Sequence, residues 1–96
     1  MGKRVLVVAR DLFFRSKLGA IVRAGGGELV EGECDLAVVE LGAADAEAQI
    51  RALVGRGIQV VAFGSHVTPE ELRAARGWGA TAVPNSEVEA RLRALL

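Results

Sequence analysis

Short aliphatic runs alternate along this chain with segments whose apolar residues recur every three or four positions. "KRVLVVA" (3–9) is β-branched, bounded by charges and too short for a helix, so it predicts a strand buried on both faces. In "DLFFRSKLGAIVRAGG", Asp11 is placed to cap a helix. Phe14, Leu18, Ile21 and Val22 fall on one stripe, and glycines follow as a stop. "DLAVVEL" (35–41) repeats the strand pattern, and "DAEAQIRALVGRG" follows as a helix with Asp45 as cap and Gly55 or Gly57 as terminator. "IQVVAFG" (58–64) is the next strand. "TPEELRAARGWG" opens with Thr68 and Glu71 in capping-box spacing and Pro69 at the first helical position, where its missing N–H costs nothing. "ATAVP" predicts a short last strand, and "SEVEARLRALL" an amphipathic helix with a second box at Ser86 and Glu89. Strands spaced by helices of this length imply an α/β fold: a doubly wound parallel sheet with right-handed crossovers and helices on both faces.

The 96 residues make one domain, 1–96. A chain of this size buries roughly two thirds of its unfolded surface, enough for a core without staples. Twelve basic and twelve acidic side chains cancel, so bulk charge recommends neither nucleic acid nor an anionic membrane as partner. The lone cysteine, Cys34, has no disulfide partner within the chain, and no basic, long-apolar N-terminus suggests a signal peptide. The apolar runs fall well short of the roughly 20 residues a membrane span needs. A cytoplasmic protein is expected.

The series "VLVVAR", "DLAVVEL", "IQVVAFGSH", "AARGWGATAVPN" and "SEVEARLRALL", in that order and spacing, resembles the receiver domains of two-component response regulators. The resemblance covers almost the whole chain and implies a CheY-like, flavodoxin-like sheet. It also implies where the family's phosphorylation chemistry would fall. The acidic pair after the first strand lands on Ala9 and Arg10, with Asp11 just beyond, and the phosphoacceptor lands on Glu40. The hydroxyl position lands on Gly64 with Ser65 next to it, and the lysine on Asn85. Mg²⁺ demands oxygen ligands in near-octahedral order, and aspartyl-phosphate formation needs that ion, so a degenerate receiver is expected, not phosphorylated and without cofactor or metal.

The remaining polar residues define a vestigial pocket of Arg10, Asp11, Glu40, Ser65, His66 and Asn85. An ion pair between Arg10 and Glu40 would set a permanent charge where the phosphoryl group sits in receivers. Against it stands the plain role of solvated strand ends, with Asp11 simply a cap. Ser65 and His66 fall at the carboxyl edge of the sheet, where doubly wound folds bind ligands, although a lone loop histidine is usually a surface residue. Adjacent in sequence, they point apart and lack a third partner, so no nucleophilic triad forms and no enzyme is expected. Cys34 and His66 have no companions at metal-ligand spacing. "AGGGEL" follows a helix and lacks phosphate-loop spacing, and it reads as a helix stop. Trp78, with the stripe of Val88 and Leu92, marks an interaction surface near the last two helices, or else Trp78 anchors the packing beneath the last helix.

One stretch departs from the family in length. Only "ELVEGEC" separates the glycines from the strand at 35–41, too little for a helical crossover of about 10 to 12 residues. The family's second helix is therefore expected to be missing or vestigial, with residues 28–30 at most a short fifth edge strand and one flank of the sheet thinly covered. The sequence reading is a phosphorylation-independent signalling or protein-interaction module that binds an unidentified protein partner and self-associates as a homodimer. The alternative is a small-ligand domain holding a phosphorylated metabolite or nucleotide at the carboxyl rim.

Overall fold

The computed structural model describes residues 2–64 and 67–96. Its elements run β1 (Arg4–Val8), α1 (Leu12–Ala24), β2 (Glu28–Leu29), β3 (Leu36–Glu40), α2 (Ala46–Gly55), β4 (Gln59–Gly64), α3 (Pro69–Gly77), β5 (Thr81–Pro84), a 3₁₀ turn (Asn85–Glu87) and α4 (Val88–Leu95). The strands form one parallel sheet in the order β2-β1-β3-β4-β5, the flavodoxin-like order.

The two-residue period of the strands divides the core in two. Leu36 and Val38 of β3, Val61 and Phe63 of β4 and Val83 of β5 face α1 and α4, meeting Leu18, Val22, Val88 and Leu92. Ala37, Val39, Val60, Ala62 and Ala82 point the other way, toward Ile50, Leu53 and Ala75 of α2 and α3. The second face of the sheet is thus built from small residues, and larger helix side chains supply its volume. Every residue of β3 is buried, as the unbroken apolar run requires of a central parallel strand.

Asp11 caps α1 by accepting from the Phe13 N–H at 2.9 Å, and Thr68 caps α3 by accepting from the Glu71 N–H at 3.1 Å, with Pro69 at the first position. Two expected caps do not form. Asp45 adopts a left-handed backbone (φ 57°) and makes no side-chain cap; its carbonyl instead accepts from Gln49 N–H at 2.9 Å. The Ser86–Glu89 box gives way to the 3₁₀ turn. Burial of Val88 and Leu92 against α1 fixes the rotation of α4, and this sets Glu89 beside Lys17 (2.8 Å) and Arg93 (3.7 Å).

That same rotation corrects the expected interaction surface. Val88 and Leu92 are fully buried core residues and present no surface for a partner. Trp78 lies on the opposite face of the sheet, half-buried against the α2–α3 cluster with the Arg51 guanidinium 5.9 Å from its ring centroid. It anchors packing there and not beneath α4.

The crossover from β2 to β3 contains no helix. Val30 N–H donates to the Val5 carbonyl at 3.0 Å, and five residues later Asp35 N–H donates to the Arg4 carbonyl at 2.8 Å. The Asp35 carboxylate holds the return by accepting from Arg4 N–H (2.9 Å) and from its guanidinium (3.1 Å). Cys34 is buried beneath this turn, where burial raises its thiol pKa. No helix among the described residues is long and apolar enough to cross a membrane.

Two outcomes test this packing. Leu92→Ala should cost about 2–5 kcal/mol in urea unfolding, as an emptied core site does. The Asp35 carboxyl is held below its ordinary value, first by the Arg4 side-chain hydrogen bond. Its stabilising contribution is therefore present above the unfolded-state pKa of about 3.9 and is lost as pH falls through the lower folded value. A carboxyl-carbon NMR titration should show the depressed midpoint, and Arg4→Ala should raise it part of the way, since the Arg4 N–H that also lowers it is kept.

Candidate functional site

Parallel pairing of β1 with β3 aligns Val8 with Val39, so the next residue of β3, Glu40, ends beside the turn from β1 into α1. Glu40 is 8% exposed and is the buried charged residue of the described chain. A buried carboxylate requires donors, and this turn supplies them from the main chain. Glu40 Oε1 accepts from Arg10 N–H at 2.7 Å and from Asp11 N–H at 3.2 Å. Asp11 Oδ1 takes the next free amide, that of Phe13. Two carboxylates thus fill the amide cradle at the start of α1, where the helix dipole favours negative charge.

The expected Arg10–Glu40 pairing takes this form and not that of an ion pair. The Arg10 side chain is exposed, and its guanidinium is not within ion-pair distance of Glu40. Arg10 Nη2 and Glu40 Oε2 instead flank Gly42, each about one van der Waals contact (3.9 and 4.0 Å) from where a Cβ there would sit. Main-chain amides already fixed by the fold hold the carboxylate without ordering a long side chain.

Of the other expected pocket residues, Ser65 and His66 lie outside the described residues. Asn85 opens the 3₁₀ turn after β5, half-buried. With β4 between β3 and β5, it is separated from Glu40 by a full strand. Gly64, where the resemblance puts a hydroxyl residue, is buried, and a Cβ added there would come within 2.6 Å of Val67 Cγ1. The β1–β3 half of the pocket is therefore assembled from Arg10, Asp11 and Glu40. Among the described residues, no three His, Cys, Asp or Glu side chains come together as a metal site. The donor set does not suit Mg²⁺: both rim carboxylates serve main-chain amides.

The rim also carries two large exposed apolar side chains, Leu12 (74% exposed) and Phe13 (67%). Phe13 sits edge-on to Phe14 at 5.9 Å, with Lys17 Nζ 5.4 Å from its ring centroid. The signal was the "LFF" run itself, since only Phe14 falls on the buried stripe of α1.

No family model matches the chain, and no curated protein matches it in sequence. Solved structures do. The BeF3-activated receiver domain of DrrB superposes with a TM-score of 0.84 at 16% identity, over 99% of this chain and 94% of that one. NtrX from Brucella abortus in complex with ADP gives 0.82 at 18% identity over 99% of this chain, which spans only 25% of NtrX. An orphan response regulator of H. pylori gives 0.76 at 18% identity, over 95% and 93% of the two chains. At such identities the likeness establishes the fold: this chain has the fold of a receiver domain.

Because Glu40 is held by main-chain N–H groups, Glu40→Ala should cost about 1–3 kcal/mol by stranding them. Arg10→Ala, which keeps its own N–H, should stay within about 0.5 kcal/mol. In a double-mutant cycle with Glu40→Gln, coupling to Arg10→Ala should fall below about 0.5 kcal/mol; a larger coupling would restore the guanidinium ion pair.

Proposed function

Proceeding from a receiver fold with a docked glutamate at the acceptor position, we propose that this chain is a phosphorylation-independent signalling module that acts by binding protein. The observation that carries this reading is the Glu40 carboxylate seated on the Arg10 and Asp11 amides. Phosphoryl transfer to a carboxylate needs a free attacking oxygen and cations to neutralise the incoming charge. Here Glu40 Oε1 already accepts two main-chain hydrogen bonds and Asp11 is engaged as a helix cap, so the rim carboxylates are tied to the main chain and not arranged around a cation. A hydrogen-bonded carboxylate is built into the rim at this position, so its conformation is not set by a reversible modification there.

The same seat argues against a phosphorylated metabolite or nucleotide at this point of the rim. The amides that would cradle such an anion are occupied by the protein's own carboxylate. Exposed Leu12 and Phe13, next to this fixed charge, favour a protein contact. Self-association through α3 and α4 loses its support with the burial of Val88 and Leu92.

Incubation with acetyl phosphate and Mg²⁺ should leave the intact mass of the protein unchanged. A phosphoryl adduct mapped to Glu40 or Asp11 would overturn the proposal.

A further inference from the structure

The main-chain groups of β1 point alternately to its two neighbours. The carbonyls of Lys3 and Val5 accept from Glu28 N–H (2.9 Å) and Val30 N–H (3.0 Å) on the β2 side, whereas the Arg4 carbonyl accepts from Asp35 N–H (2.8 Å) on the β3 side. By this alternation the N–H and C=O of Val7 face the β2 side. Pairing with β2 ends at Val5 with Leu29, while pairing with β3 continues to Val8 with Val39. Among the described residues, no backbone group reaches Val7 from the β2 side. The upper half of β1 is therefore an open sheet edge. Beside it lies a groove of about 410 Å³, with Leu6, Val8 and Val30 on one face, Leu29 on the other, and Arg15 and Glu31 among its lining residues.

We propose that this edge binds an extended segment of a partner protein, added as a parallel or antiparallel strand alongside residues 6–9 and end to end with β2. The inference deepens the protein-binding reading above and rests on it. Val7 supplies a donor and an acceptor that an extended main chain satisfies together in place of water, which a docked helix, its own backbone groups already paired, does not do. Alternate side chains of the segment fall on opposite faces of the sheet. Those on the α2–α3 side meet Leu6 and Val8, left uncovered by the absent crossover helix, and are apolar. Those on the α1 side come toward Arg15, and with Glu31 also lining the groove a polar residue is accommodated there. A second copy's β1 is a poor occupant. A two-fold antiparallel pairing centred on Val7 would put Arg10 of one copy opposite Arg4 of the other, the place Glu28 already holds.

The test is selection from a displayed pool of random peptides of about ten residues, long enough to span the edge at about 3.3 Å per residue, with the full chain as bait. Enriched peptides should be proline-free in their centre and carry apolar residues at every second position. Val7→Pro removes an N–H that pairs with nothing in the fold. Because the Val7 side chain also packs against the α1–α4 core, the control is Val7→Ala: both variants should lower the melting temperature, and Val7→Pro should weaken the selected peptides by about tenfold or more beyond Val7→Ala, as expected for lost main-chain bonds. N-methylation of every second peptide amide should abolish binding in one register and spare it in the other, a readout independent of any change to the protein. An empty selection, peptides with apolar residues at helical spacing, or affinity indifferent to both Val7→Pro and N-methylation would overturn the proposal. Peptides that ignore Val7→Pro but are lost on Leu12→Asp or Phe13→Asp would reject the edge while leaving the protein-binding reading intact.

Discussion

A carboxylate at the end of a strand buried on both faces has to be met by donors, and in this protein the requirement falls on Glu40. Its partners are the Arg10 and Asp11 amides, so the turn out of β1 must present its N–H groups toward β3. That orientation leads directly into α1, whose next amide is taken by Asp11. The buried stripe of α1 then starts at Phe14, and Leu12 and Phe13 are left outside. One charge compensation thus fixes the tip of β1, the start of α1 and the composition of the rim. It also takes up the main-chain donors at the start of α1.

Away from the rim, the sheet is asymmetric in a way that assigns roles to its helices. The face carrying Leu36, Val38, Val61 and Phe63 packs against α1 and α4, which contribute a dense aliphatic layer. The face carrying Ala37, Ala62 and Ala82 is filled mainly by side chains reaching in from α2 and α3, Trp78 among them. An aromatic at the end of α3 is therefore a volume requirement of the small-residue face. Val88 and Leu92 answer the opposite requirement on the other side.

The helix-free return from β2 to β3 has two consequences with one cause. Crossing β1 in so few residues keeps β2 to two residues, pinned by the Arg4–Asp35 contacts, and it leaves Leu6 and Val8 without a covering helix. Parallel sheets usually hide such edges and faces completely. Here the uncovered faces and the unpaired edge coincide on the same half-strand, which is why the groove is both apolar and lined by main-chain polarity.

The sequence by itself determined the elements whose causes lie within a few residues. The aliphatic runs at 3–9, 35–41 and 58–64 marked the strands, although burial on both faces holds for β3 and most of β4 and not for β1, where Val5 alone is fully buried. Asp11, Thr68 and Pro69 mark helix starts whose donors lie at most three residues away. The missing helix was equally legible, because chain length is a local quantity. Tertiary structure decided whatever depends on residues far along the chain. Glu40 and Arg10 stand 30 residues apart, and which atoms of Arg10 would meet the carboxylate followed from the direction of the β1 turn, not from the residue types. The Ser86–Glu89 spacing was a sound cap signal, overridden because α4 rotates to bury Val88 and Leu92 against α1 and hands Glu89 to Lys17. Burial of an aliphatic pair outweighs one cap hydrogen bond, by about 1.5–3 kcal/mol per side chain against about 1. A local pattern therefore yields wherever its cost is smaller than that of the long-range contact competing with it.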